Sequence, residues 1–455
     1  MQNGIRLNRG LFVVAGALLA ACGGMPVVDG GDAVSSEGGS DIVDGSVTES
    51  GPTDAPDVAN DTVVADAADV RLTDGGDAMA GDGGCRFTHI VMTTTDFTTG
   101  GFATGFIATR ELWVDHPPPG DAGVVVTLPQ QDHAVRTSGC FTFDMGRTFA
   151  SAPNQVTVMN LSTPFTPRRI ITLDPIAGTG DAGAQSANPH DVGLLSPTKA
   201  YVALYNGAQL AIVDPTAGTR ASRNVDLSPL ADADGIPEAD SIAVIGNRAF
   251  VTLQQLDRRM MYRAPANSTV AVVDGATDAL VDTDSAIAGV QGIRLSFGNP
   301  NAVAVVSTGT HLLVTSTGNF GGALDGGIDV IDVATLRVVR SIPSAMLGGE
   351  PNGIEWVSGT TAWVSVGRAM GDAGTSYVIL AFDVLTGVVA STPIVAAGTI
   401  HYGAMRRGPD GNVWVIDGDF GLMGAVQAYS PTGTAVLTTP FLTPGSNTNS
   451  IDFGE

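Results

Sequence analysis

The sequence predicts an all-β fold, a seven-bladed β-propeller of four-stranded antiparallel blades whose ring is closed by the C-terminal strand. Three observations lead there. Residues 351–389 contain four short runs rich in Val, Ile and aromatic residues, at 354–357, 362–366, 377–382 and 387–390, separated by Gly, Ser, Thr and Asp clusters. Each run is too short and too β-branched for a helix, so the four read as antiparallel strands. The unit recurs about every fifty residues, in the range of propeller blades. The composition agrees: 44% hydrophobic residues, 59 glycines and only 15% charged residues suit a chain of strands and tight turns.

Taken in order, residues 1–22 read as a bacterial lipoprotein signal peptide. Arg6 and Arg9 supply the positive start, and residues 11–19 an apolar stretch too short to span a bilayer. Ala20 and Ala21 precede Cys22 as in a lipobox, which makes Cys22 the acylation site and the lipid bilayer a partner. Diacylglycerol plus an N-acyl chain gives more than one anchor. Gly23 and Gly24 follow, with no Asp to signal inner-membrane retention, so the expected address is the outer membrane.

Residues 23–84 hold fourteen acids against Arg71, a balance of −13, and lack aromatics. Such a segment cannot bury enough apolar surface to offset its ordering entropy and is expected to be a disordered tether. The rest of the net charge of −24 is +2 from Arg6 and Arg9 and −13 from residues 85–455. An acidic surface repels phosphates, which argues against nucleic acid as a partner.

From 85 to 455 the repeat takes over. The third strand and its turn recur as VTVMNLSTP (156–164), LAIVDPTAG (210–218), VAVVDGATD (270–278), IDVIDVATL (328–336), ILAFDVLTG (379–387) and VQAYSPTGT (426–434). Asp214, Asp274, Asp332 and Asp383 share one position, where a carboxylate can bond a nearby amide and fix the turn. Six complete units begin near 132, 190, 240, 301, 352 and 401. A partial unit at 88–128 lacks its first strand, and NSIDFG at 449–454 supplies it by pairing beside 89–94. That pairing removes an exposed edge.

These residues carry a resemblance. IVDPTAG following AYVALYN resembles the YVTN/lactonase-type bacterial propellers, and GPDGNVWVID (408–417) is similar to blades of the streptogramin-lyase type. The resemblance covers residues 85–455 and implies the fold; its families mix enzymes, binding proteins and scaffolds. The lyase pattern of a catalytic Glu with a nearby His matches no aligned position. No HExxH, CxxCH or GxSxG occurs, and the GxGxxG at 178–183 has no helix pattern after it.

Three sets of residues are candidates for function. Aligning the blades places Asp132, His190, Asp240, Asn301, Asn352, His401 and Asn449 at the opening of the innermost strands, with Ser138 competing with Asp132. They form either a polar ring at the channel mouth or a set of turn caps, the latter fitting the histidines less well. Arg258, Arg259 and Arg263 are the densest basic cluster, suited to a carboxylate or phosphate. Asp232, Asp234 and Glu238 resemble part of a calcium loop without its full spacing, and read more simply as a polar turn. With Cys22 lipidated, Cys85 and Cys140 remain as a possible disulfide.

Turns between the first and second strands are short, whereas those between the second and third, and between blades, are long, as in 254–268, 367–377, 174–190 and 227–240. The two sets emerge on opposite faces, and loops longer than structure requires usually carry function. The expected function is a membrane-tethered extracytoplasmic binding module. Its ligand, a small molecule or a protein, sits at the channel mouth on the long-loop face. The alternative is a lactonase- or lyase-type propeller enzyme.

Overall fold

The computed structural model describes residues 89–454 apart from 96–99, 107–110, 114–125, 129–131, 148–153, 161–165, 177–185, 307, 321–322, 370–374, 397–403, 418–424, 438–440 and 443–446. All lie in one compact unit. Cys22, the 23–84 segment, Cys85, His401 and the 178–183 motif lie outside the described residues.

The chain is an all-β propeller, and among the described residues its strands pair into seven hydrogen-bonded sheets. The first holds β1 (His89–Thr95), β2 (Gly100–Phe106), β3 (Glu111–Trp113) and β4 (Val126–Leu128); the second β5 (Asp132–Ser138), β6 (Phe141–Arg147), β7 (Gln155–Asn160) and β8 (Thr166–Thr172). The third comprises β9 (Pro189–Ser196), β10 (Lys199–Leu204), β11 (Gln209–Asp214) and β12 (Thr219–Asp226). The fourth has β13 (Ala239–Ile245), β14 (Arg248–Leu253), β15 (Thr269–Asp274), β16 (Ala279–Leu280) and β17 (Ile293–Arg294). The fifth has β18 (Pro300–Val305), β19 (His311–Ser316), β20 (Gly327–Asp332) and β21 (Arg337–Pro343). A single helical turn, α1 (Ser344–Leu347), leads to the sixth: β22 (Glu350–Ser358), β23 (Thr361–Ala369) and β24 (Thr375–Asp383). The seventh has β25 (Met405–Arg407), β26 (Val413–Asp417), β27 (Ala425–Tyr429) and β28 (Phe441–Leu442). The last strand, β29 (Asn447–Gly454), returns to the first sheet and pairs antiparallel with β1 from His89 opposite Gly454 to Thr95 opposite Asn447.

Burial falls from the inside outward, which explains the sequence pattern. The second strands β10, β14 and β19 are buried at every position after the first. They are covered on both faces, so they read as apolar runs rather than alternating ones. The fourth strands β12 and β21 alternate or lie exposed. The apolar clusters lie between neighbouring sheets; one joins Leu313 and Val330 of the fifth sheet to Trp356, Val364 and Phe382 of the sixth. Each fully buried side chain of this size contributes about 1.5–3 kcal/mol. First strands touch in cyclic order: β29, β5, β9, β13, β18, β22, β25 and back to β29. Their approach is close: a Cβ at Gly193 in β9 would lie 2.4 Å from the Ile242 side chain in β13.

Two expectations need correction. The run at 387–390 is no fourth strand; the sixth sheet has three strands, with only single bridges from Phe382 to Val389 and from Ile379 to Val395. Val388 and Ala390 bond Asp383 and Ala381 across the turn, but the Pro393 that follows has no amide to donate, so no longer ladder forms. The loop at 367–377 is also shorter than its composition suggested. Pairing continues through Gly367–Tyr377, Arg368–Ser376 and Ala369–Thr375, and only 370–374 remain between the strands.

Candidate functional site

The first strands place the proposed ring residues near the long-loop side, and the structure pairs them across sheets. His190 in β9 has its Nδ1 2.7 Å from Oδ1 of Asp240 in β13, fifty residues away. Asn301 in β18 donates from Nδ2 to Oδ1 of Asn352 in β22 at 3.3 Å, and accepts from the Thr315 hydroxyl at 2.9 Å. These four residues reach the next blade rather than capping their own turns. Asp132 and Asn449 fall in β5 and β29. Ser138 ends β5 and accepts the Leu194 amide at 3.2 Å.

The second and third candidate sets join the same corner. His190 stacks on Tyr205 with ring centroids 4.1 Å apart. Arg258 lies over the other aromatic partner of this stack, 5.8 Å from the Tyr205 centroid, and its Nε donates to Oε1 of Glu238 at 2.8 Å. The same guanidinium reaches the Tyr205 carbonyl and Asn206 Oδ1, each at 3.2 Å. Arg258 is therefore committed to the protein and is not a free anchor for an outside anion. Arg259 forks onto Asp257, with Nε–Oδ1 3.1 Å and Nη2–Oδ2 3.2 Å. Arg263 is exposed, and among the described residues it has no ion pair.

Asp232, Asp234 and Glu238 face inward to backbone groups. Asp232 accepts the Asp234 amide, Asp234 accepts those of Ile236 and Arg258, and Glu238 Oε2 accepts that of Leu256 at 3.0 Å. Among the described residues no group of three or more His, Cys, Asp or Glu is arranged to hold a metal. Burial pushes the Glu238 carboxyl up to about 8, although Arg258 pulls it down. Burial, with Asp234 beside it, lifts Asp232 to about 6. Cys140 is disulfide-bonded; both other cysteines lie outside the described residues.

Sequence reasoning missed a set of charged residues on the first strands: Arg136, Asp191, Glu355, Arg406 and Asp452. The signal was faint, since each is an isolated charge on a short strand and their spacing matches no motif. On the opposite, short-turn side a cleft of about 440 Å³ opens between the fourth and fifth sheets, lined by Arg248, Asp274, Thr310 and Asp332 among others. Its carboxylates already bond their own turns.

Comparison with known proteins adds the fold. No family model and no curated protein matches the chain. The periplasmic gluconolactonase PpgL of Pseudomonas aeruginosa is similar in structure with a TM-score of 0.52 and 13% identity, covering 81% of this chain and 99% of that one. A functionally unknown protein from Desulfotomaculum acetoxidans is similar with a TM-score of 0.50 and 10% identity, covering 81% and 99%.

Proposed function

We propose that the chain is an extracytoplasmic propeller lipoprotein, held to the outer membrane by acylated Cys22, that binds a small polar ligand at the channel mouth on its long-loop face. The seven sheets serve as seven blades, and the cyclic contact of their first strands with β29 pairing to β1 supports that count. The observation that carries the binding reading is the cross-blade pairing of polar residues at one level, His190 with Asp240 and Asn301 with Asn352. Polar side chains converging on a channel provide directional donors and acceptors that a purely structural core would replace with apolar groups.

The test is thermal shift over a metabolite and metal panel, comparing wild type, His190→Ala with Asn301→Ala, and an Asp214→Ala turn control. A ligand that stabilises wild type and control but not the double variant supports the reading. A ligand whose shift survives the double substitution overturns it. Metabolic palmitate labelling tests the anchor, and Cys22→Ala abolishes label and membrane fractionation.

One observation favours a second reading. A histidine held 2.7 Å from a carboxylate is the arrangement that orients a general base, so the His190–Asp240 pair fits a lactone hydrolase. Lactone opening followed by acid release, absent in His190→Ala, would decide for it.

A further inference from the structure

Besides the paired residues, the first strands carry a second set of charged side chains. Three carboxylates there share one geometry. Asp191 accepts its neighbour's amide, Val192, at 2.8 Å and that of Ile242 in the next blade at 2.7 Å. Asp452 accepts Phe453 at 2.9 Å and Thr137 across the sheet junction at 2.8 Å. Glu355 accepts Trp356 at 3.1 Å and also the Arg407 backbone. Each fastens one first strand to the next.

Two arginines stand between them. Arg136 Nε lies 3.5 Å from Asp191, and Arg406 lies 3.9 Å from Glu355 and 4.0 Å from Asp452. Following the strands β22, β25, β29, β5 and β9, the charges alternate: Glu355, Arg406, Asp452, Arg136, Asp191. Fastening explains the carboxylates but not Arg406. A guanidinium kept for structure closes to about 2.7–2.9 Å on its carboxylate, as Arg258 does on Glu238. The Arg406 side chain makes no hydrogen bond among the described residues and is 30% exposed.

We propose that this alternating level, centred on Arg406, binds a small zwitterion of the amino-acid type. Its carboxylate would take the fork of Arg406, and its ammonium would meet the carboxylate of Glu355 or of Asp452 on the side away from the guanidinium. The charge order argues for this class. A simple anion meets three carboxylates and a simple cation meets two guanidiniums, while a neutral polyol gains nothing from alternating sign. The site goes beyond the mouth reading and needs none of its residues.

The experiment is titration calorimetry on the full mature chain with each of the twenty free amino acids, their N-acetyl derivatives and methyl esters, and glucose. At least one amino acid gives a saturable heat, and blocking either charge weakens it about tenfold or more. Arg406→Gln abolishes it while the chain still melts cooperatively, and His190→Ala keeps it within about twofold. If Arg406→Gln does not fold, Arg406→Lys serves: it keeps the charge, loses the fork and weakens binding about tenfold. The proposal is overturned if no amino acid binds, if a blocked derivative or glucose binds as well, or if the Arg406 variant binds like wild type. Loss of binding in His190→Ala with retention in Arg406→Gln would assign the ligand to the mouth instead.

Discussion

The propeller uses carboxylates in two places, and they behave in opposite ways. At the outer turns, Asp214, Asp274, Asp332 and Asp383 bond amides three residues on in their own chain segment: Ala217, Thr277, Thr335 and Thr386. They are half-buried, and bonds from Thr277, Thr335 and Thr360 hold Asp274, Asp332 and Asp383 below the usual carboxylate range. On the inner side, Asp191, Glu238 and Asp452 bond residues 51, 18 and 315 positions away. Burial raises Glu238, and it raises Glu355 as well. The outer set shapes one turn at a time, whereas Asp191 and Asp452 tie blades to each other and Glu238 ties the start of its blade to the long loop at 254–268. A lost turn is local; a lost tie is shared by two blades.

The hardest break is at the ring closure. Deleting 447–455 removes β29, the Asp452 tie and the Ser450 hydroxyl that accepts the Val135 amide at 2.8 Å. The expected result is aggregation and no cooperative melting by calorimetry; full thermal stability would show that the ring does not depend on β29.

Next comes Glu238→Ala, which leaves Arg258 unpaired beside Tyr205. Removing one partner of a buried pair costs about 3–5 kcal/mol, read as a shift in urea midpoint at constant slope. The same residue sets a pH dependence. Its folded value near 8 lies above its unfolded 4.5, so its contribution is fully present below pH 4.5 and is lost as pH rises to 8. Stability measured in urea should fall across that window at up to about 1.4 kcal/mol per pH unit, and Glu238→Gln should flatten the fall. Asp274, Asp332 and Asp383 run the other way: their contribution is present above the ordinary carboxylate range and fades as pH drops through their lowered values.

Asp191→Ala removes two charge-assisted bonds and strands the Ile242 amide, for about 3 kcal/mol. Its effect should be non-additive with a substitution at Ile242, and additive with Asp332→Ala, which sits in another turn. The smallest effect is Asp332→Ala itself, expected to give the least melting shift of the series. An Asp332→Ala loss as large as that of Asp191→Ala would erase the distinction between the two sets.

By itself, the sequence determined most of the strands, the closing role of the C-terminal strand and the turn carboxylates. All depend on contacts within a few residues or on a pattern repeated every fifty. It also aligned His190, Asp240, Asn301 and Asn352, because blade repetition carries equivalent positions to one level. Only the tertiary structure decided which of them meet, since pairing depends on how neighbouring blades are staggered. It drew Arg258 away from any outside anion and onto Glu238, and it joined the Asp232–Glu238 turn to the His190 corner. It also left 387–390 without a ladder. Arg136, Asp191, Glu355, Arg406 and Asp452 were invisible for the same reason: one charge on a short strand acquires meaning only when neighbouring first strands are brought into contact.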